Sequence, residues 1–196
     1  MIIRIGILGG TFDPVHNGHL YMACEVLKRL RLDKVILMPA YHPPHKKNTG
    51  ITSARHRYNM LKLAVKGSKE FKVSDIEIKR KGRSYSIRTL KQLRERYGAE
   101  AKLFFIAGSD ALKDIDTWRD LKGILGLCSF VIVKRPGSRI KMSRREFMIL
   151  RIGAKDISAT DIRKKIRCSG QVKKLIPSTV KDYIKSHGLY HIAKNI

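Results

Sequence analysis

Residues 2–20 read "IIRIGILGGTFDPVHNGHL". The opening run, Ile2 to Leu8, is apolar and β-branched, as a strand buried on both faces should be. Two glycines follow, then an acidic residue, a proline and two histidines. A plain turn needs one glycine and no histidine, so this order points to a ligand. Gly9-Gly10 lets a ligand approach the backbone closely, and the helix beginning near Asn17 and Gly18 offers N–H groups and a positive dipole end to an anion. His16 and His19, three apart at that end, can converge on one point, and a histidine there is favoured as a neutral N–H donor. The same spacing suits a metal pair. Zinc would need a third ligand, for which Asp13 is the local candidate, so phosphate fits the stretch better.

Outward from this motif the chain alternates strand-like and helix-like segments. Lys34–Met38, Phe71–Ile78, Lys102–Ala107 and Ser129–Lys134 read as further strands. Gly18–Leu30 reads as a helix with Leu20, Ala23, Cys24, Leu27 and Leu30 on one face. Thr52 or Ser53 caps a helix to Val65, and Ser84 or Ser86 opens one closed by Gly98. A helix including Trp118, Leu121 and Leu125 is expected before the strand at Ser129. Ser158 caps a helix ended by Gly170, and Pro177 starts another ended by Gly188. Lys134–Ile149 is the least patterned stretch and reads as a surface loop.

This alternation predicts an α/β fold: a doubly wound, Rossmann-like parallel sheet with helices on both faces and a small C-terminal helical part from about residue 157. The whole chain, 1–196, is expected to be one domain. In such sheets ligands bind beyond the carboxyl ends of the strands, at the topological switch point. The opening motif, "MPAYHPPHK" at 38–46 and "AGSD" at 107–110 all leave strands at those ends, so three polar segments are expected on one edge.

With 43% apolar residues and interspersed charge, the composition is that of a soluble globular protein. No apolar run approaches the roughly 20 residues of a membrane helix, and no secretory signal is apparent. Cys24, Cys128 and Cys168 stand singly without a C-x-x-C pair, which suggests a reducing cytoplasm and small core thiols. The outlier is charge: 42 basic against 16 acidic residues, a formal +26. Lys79–Arg96 carries eight Lys or Arg with one acid, and Lys134–Arg145 six with none. Such charge fits a solvated surface, a nucleotide ligand or nucleic acid. Without aromatics interleaved among the basic runs, a stacking platform for single strands is disfavoured.

Neither G-x-G-x-x-G nor G-x-x-x-x-G-K-[ST] is present. Instead Gly10, Phe12, Asp13, Pro14, His16, Gly18 and His19 match G-x-F-D-P-x-H-x-G-H, and the stretch resembles the signature of the HIGH-type nucleotidyltransferase superfamily. "PPHKK" (43–47), "ARHRYNML" (54–61), "SYSIRTL" (84–90) and "GSDAL" with Trp118 look like the bacterial nicotinate-nucleotide adenylyltransferase family. So do "KRPG" (134–137), "ISATDIR" (157–163) and the terminal "IPSTVKDYI" and "GLY". The resemblance runs in order from Gly9 to Tyr190.

It implies adenylyl transfer from ATP to nicotinate mononucleotide, giving deamido-NAD and pyrophosphate, by direct in-line attack without a covalent intermediate. The attacking phosphate is already ionised, so alignment and a sink for negative charge are what the site must supply. The resemblance assigns Gly9, Gly10, Thr11, Phe12, His16 and His19 to ATP, with Gly108 and Asp110 on its adenosine side. Ile157, Ser158, Thr160 and Arg163 resemble a second phosphate site, where a Ser-capped helix start alone would explain the same residues. His16, His19, Lys46 and Arg163 are the candidate catalytic residues. Lys46, Ser84, Tyr85, Ser86, Trp118 and Arg135 are the candidates for nicotinate mononucleotide, although a lone Trp at helical spacing is usually core. Asp110 would equally serve as a helix cap. Mg²⁺ is expected to arrive with ATP, with no protein metal ligands.

Three positions depart from the family's usual pattern: Ala40 where Asn is frequent, Arg119 where an aromatic follows the Trp, and Ser86 where Thr is common. Other acceptors within the class are nicotinamide mononucleotide and phosphopantetheine, the latter disfavoured by "SYSIRTL" and "GLY". A basic nucleic-acid-binding protein would account for the charge but not for the two histidines together with "ISATDIR". No specific nucleic acid and no membrane are expected as partners. A homo-oligomer stays open.

Overall fold

The computed structural model describes residues 2–44, 50–134, 145–153 and 157–191. Among these, six strands form one parallel sheet: β1 Arg4–Gly10, β2 Lys34–Pro39, β3 Phe71–Val73, β4 Lys102–Gly108, β5 Ser129–Lys134 and β6 Phe147–Arg151. Their order is β3-β2-β1-β4-β5-β6. The chain therefore winds one way from β1 to β3 and the other way from β4 to β6, and the direction reverses between β1 and β4. That is the doubly wound sheet the alternation predicts, with its switch point beside the Gly9-Gly10 turn.

Period-two alternation sorts each strand's side chains onto two faces. Ile5, Ile7, Ile36, Met38, Leu103, Phe105, Phe130 and Ile132 lie in one core cluster. Leu8, Val35, Leu37, Phe104, Ile106, Val131 and Val133 lie in the other. Over the second face pack α1 Asn17–Arg29, α2 Ala54–Ala64, α6 Ala159–Arg167 and α7 Ser178–Ser186. Over the first pack α4 Ser86–Tyr97 and α5 Leu121–Leu127. Each fully buried Ile or Leu on these faces contributes about 1.5–3 kcal/mol relative to exposure. A Cβ on Gly6 would come within 2.8 Å of Leu32 and 2.9 Å of Ile106, so β1 needs glycine there to pack.

Several local expectations change. The predicted strand Phe71–Ile78 pairs with β2 only as far as Val73, and a short helix, α3 Ile76–Arg80, follows. Its cause is local: the Ser74 hydroxyl accepts from the Ile76 N–H, and Asp75 pairs with Lys79 at 3.1 Å, so the backbone turns. Trp118 lies outside any helix, after two 3-10 turns, Ser109–Lys113 and Ile115–Thr117. Asp120 then caps α5 by accepting from the Gly123 N–H at 3.0 Å. Within the expected loop Lys134–Ile149, the described end belongs to β6, which pairs with β5. As an edge strand it buries only Phe147 deeply and leaves Met148 and Ile149 exposed, so it lacks the apolar signature of a central strand. In α1 the deepest residues are Met22, Ala23 and Val26, while the expected Leu20, Leu27 and Leu30 pack half-buried against the same core. Cys168 is exposed and so is no core thiol. After α6 the left-handed residue is Ser169 rather than Gly170.

Candidate active site

The turn beyond β1 is held from two sides. The Gly10 carbonyl accepts from the Ala40 N–H at 2.9 Å, and Phe12, at φ 52° and 2% exposed, drives its ring into the core. His16 then caps α1. The His19 N–H donates to His16 Nδ1 at 3.3 Å, and the His16 N–H donates to His19 Nδ1 at 3.3 Å. This is a capping box built from two imidazoles. Both Nδ1 atoms accept, so each ring carries its proton on Nε2. The rings stack with centroids 3.6 Å apart, and the Phe12 ring meets His19 edge-on at 4.9 Å. His16 is buried and His19 half-buried. A Cβ on Gly18 would come within 3.1 Å of His16 Nδ1, so the glycine leaves room for the His16 ring over the helix start, with Ile157 Cβ 3.4 Å away on the same spot.

The stretch "ISATDIR" is anchored to the same turn. Arg163 donates to the Asp13 carbonyl at 2.7 Å and to Thr160 Oγ1 at 3.2 Å. Ser158 caps α6, its hydroxyl accepting from the Asp161 N–H. Asp13 is buried, and its carboxylate accepts from the Tyr190 hydroxyl at 2.8 Å and the Thr52 N–H at 3.4 Å. Burial, reinforced by Asp13, pushes the Tyr190 phenol well above its ordinary range, so it stays a donor. These partners give Asp13 a structural task. Among the described residues, no three His, Cys, Asp or Glu side chains gather as metal ligands would.

On the other side of β1 a cavity of about 400 Å³ opens beneath the strand ends. Gly9, Gly10 and Thr11 line it, as do Gly108 at the end of β4 and Asp110 just beyond it. Ser84, Tyr85, Ser86, Trp118 and Arg119 form its far wall. Ser84 is also a brace: its hydroxyl accepts from the Tyr41 N–H at 2.8 Å. Trp118 meets Phe105 and Phe130 edge-to-face at 5.7 and 5.6 Å while lining the cavity, so it is both core and wall. The Arg119 guanidinium lies 5.1 Å from the centre of the Tyr85 ring and Arg88 at 5.8 Å. A hydrogen bond from Arg83 first, then the charges of Arg83 and Arg119, pull the Tyr85 phenol below its ordinary value. Three arginines thus stand about the Tyr85 ring, of which Arg119 lines the cavity together with the acidic Glu77, Asp110 and Asp114.

The structure therefore brings the expected site residues together in two adjoining groups. Phe12, His16, His19, Ile157, Ser158, Thr160 and Arg163 flank the turn on the α1 and α6 side, and the others line the cavity. Gly9 to Thr11 stand between the two. Lys46 and Arg135 lie outside the described residues. Three further residues escaped the sequence reading. Glu77, 7% exposed, lines the cavity and accepts from Thr89 Oγ1 at 2.6 Å. Tyr190 holds Asp13, and Arg57, 1% exposed, joins three loop carbonyls. A signal for Arg57 existed: in α2 it shares the inward face with Ala54 and Leu61, where a cation needs a reason.

A glycine turn and a capped helix start at the switch point of a doubly wound sheet define a nucleotide-binding protein. The model of the cytidylyltransferase-like family matches residues 7–165, and the chain belongs to that family. Curated relatives narrow the group. A "Probable nicotinate-nucleotide adenylyltransferase" of Clostridium tetani is 40% identical over 195 residues, which cover 94% of this chain and 97% of that protein. One of Moorella thermoacetica is 41% identical over 198 residues, covering 95% and 91%. Among solved structures, the Plasmodium falciparum nicotinic acid mononucleotide adenylyltransferase complexed with NaAD superposes with a TM-score of 0.78 at 20% identity, covering 96% of this chain and 97% of that one. At that identity the likeness speaks for the fold.

Proposed function

We infer that this protein is an enzyme of NAD biosynthesis that transfers the adenylyl group of ATP to nicotinate mononucleotide, forming deamido-NAD and pyrophosphate. The observation that carries the reading is the glycine turn standing between a two-histidine helix cap and a cavity whose aromatic wall carries Arg119 over Tyr85. One side suits a triphosphate and the other a pyridine nucleotide.

In the reaction a phosphate oxygen of the mononucleotide attacks the α-phosphorus of ATP. The new P–O bond forms as the bond to the bridging oxygen of the leaving pyrophosphate breaks. The mononucleotide phosphate needs no general base, so the residues act by placement and charge. His16 and His19 direct Nε2–H groups toward the phosphates, supported by their mutual Nδ1 hydrogen bonds. Arg163, fixed by Asp13 and Thr160, has further N–H donors for the departing pyrophosphate. Lys46 joins this group of cations in the proposal, and Arg135 the acceptor's. Gly108 and Asp110 take the adenosine side. Ser86, Tyr85 and Trp118 face the pyridine nucleotide, with Ser84 bracing the wall.

Mg²⁺ in this reading is held by the nucleotide's own phosphates, since Asp13 is already engaged by Tyr190 and Thr52. When bound it withdraws charge from the phosphoryl oxygens. The chain works as one unit, because the C-terminal segment supplies Arg163 and Tyr190. No helix of the described residues is long and apolar enough to cross a membrane. The single, unpaired cysteines fit a reducing cytoplasm. The excess positive charge is read as solvated surface, with only weak, salt-sensitive retention on random DNA.

The test is pyrophosphate release from ATP with nicotinate mononucleotide, nicotinamide mononucleotide and phosphopantetheine in parallel. Release with the first acceptor well above the others supports the reading. Release favouring another acceptor, or independent of any, overturns it.

A further inference from the structure

Arg57 is a buried cation whose three donor groups all end on carbonyls. Nε donates to Thr52 O at 2.8 Å, one terminal nitrogen to Thr11 O at 2.7 Å and the other to Tyr41 O at 3.2 Å. At 1% exposure the side chain is out of water, and burial pulls its pKa down, opposed mainly by the charge of Asp13. Keeping a guanidinium in such a place is costly, and an apolar side chain at this inward position of α2 would fill the space more cheaply. The three carbonyls explain its presence. Thr11 belongs to the turn assigned to ATP, Tyr41 follows β2 on the way to the cavity wall, and Thr52 precedes α2.

The chain of contacts continues. The Tyr41 N–H donates to Ser84 Oγ and the Ser84 N–H to the His42 carbonyl at 2.9 Å, so Arg57 reaches through one residue, Tyr41, to the segment that carries Tyr85 and leads into Ser86 of α4. On the other side, the Ala40 N–H holds the Gly10 carbonyl. One planar fork thus sets the distance between the turn on the ATP side and the wall on the acceptor side. It touches no substrate itself.

We propose that Arg57 is a positioning residue for the transfer step, holding the Thr11 turn and the Tyr41–Ser84 wall in the register that lines up the two nucleotides. This rests on the two-substrate reading above. A lysine keeps the charge but, as a point donor, cannot serve three carbonyls in a plane. Arg57→Lys should therefore fold, bind both nucleotides with KM values within about threefold of wild type, and lose kcat by about 10- to 100-fold, the scale of a small misalignment of reacting atoms. Guanidinium ion in the tens of millimolar should restore part of the kcat of Arg57→Ala.

A second readout needs no turnover. Amide exchange at Ala40, Tyr41 and Ser84 should quicken at least tenfold in Arg57→Lys, while β4 and β5 amides keep their protection. An unchanged kcat, a loss confined to KM, or unchanged exchange at those three amides overturns the proposal. Should Arg57→Ala fail to fold, Arg57→Lys decides. Failure of both to fold also overturns it, since Arg57 would then hold up the fold rather than a register. If wild type proves inactive on nicotinate mononucleotide, the functional reading falls and the exchange experiment still judges Arg57.

Discussion

The two flanks of β1 start from different contacts, one from a local helix cap and one from none. On the α1 side the histidine cap joins residues three apart, His16 and His19, and the distant Arg163 and Tyr190 are then tied to Asp13 beside it. On the cavity side the contacts join residues far apart, Ser84 to Tyr41 and Trp118 to Phe105. The histidine cap is a short-range device that forms with its helix. The second flank exists only when the sheet has brought β2, β4 and the start of α4 together. Substitutions on the first flank should therefore damage chemistry sharply and locally, and those on the second should alter which acceptor is accepted.

The largest effect is expected on the cavity side, as discrimination between acceptors. Arg119, Arg83 and Arg88 surround Tyr85 at the wall, a setting that favours a ring carboxylate over a carboxamide. In a closed site the amide would turn an NH₂ toward donors and leave them unpaired, which can support a preference on the order of 10⁴ in kcat/KM. Arg119→Ala should shrink that ratio while ATP affinity holds. A ratio near one for the wild type, from kcat/KM of the two mononucleotides at equal ATP and Mg²⁺, breaks this half of the comparison.

On the histidine side, His19→Ala should lower kcat by about two to three powers of ten, as does the loss of a preorganised donor at developing charge. His16→Ala should act similarly and in addition cost about 1 kcal/mol of stability, because it removes the helix cap. Steady-state kinetics alongside thermal melts separate the two. Near-normal turnover in the double variant would remove the histidines from the phosphate role.

Arg163→Ala should weaken ATP and pyrophosphate about 10- to 100-fold, the range for losing hydrogen bonds to a charged group. The acceptor's KM should move little, and Arg163→Lys should recover only part, lacking the fork. A defect confined to the acceptor would transfer Arg163 to the other flank. The smallest effect is chemical. Burial pushes the Cys128 thiol up to about 12, so it stays protonated and inert at pH 8, whereas exposed Cys168 reacts. Alkylation followed by mass spectrometry should modify Cys168 first and Cys128 only after unfolding.

The same contrast explains how much of the molecule can be read from its residues. The sheet and its switch point are legible because β1, β2, β4 and β5 are central strands with continuous apolar runs. The edge strands are less so: β3 begins at Phe71 as expected but is cut short by Ser74-Asp75, and β6, which turns Met148 and Ile149 to solvent, reads as loop. The histidine motif is legible because its partners are neighbours in the chain. Arg57, Glu77 and Tyr190 are not, since their meaning lies in partners from 12 to 177 residues away. Tyr190, a plain "GLY" terminus in the sequence, becomes the residue that holds Asp13 only after α7 has packed against α2.

The central claim is that the α-phosphoryl group of ATP passes directly to the mononucleotide. ATP labelled at the α-phosphorus tests it, incubated with nicotinate mononucleotide and Mg²⁺ and followed by separation of the products. The account predicts that all transferred label appears in deamido-NAD, with one unlabelled pyrophosphate formed per dinucleotide and no labelled protein. Label left in ADP with orthophosphate released, label bound covalently to the chain, or hydrolysis of ATP regardless of acceptor would contradict it.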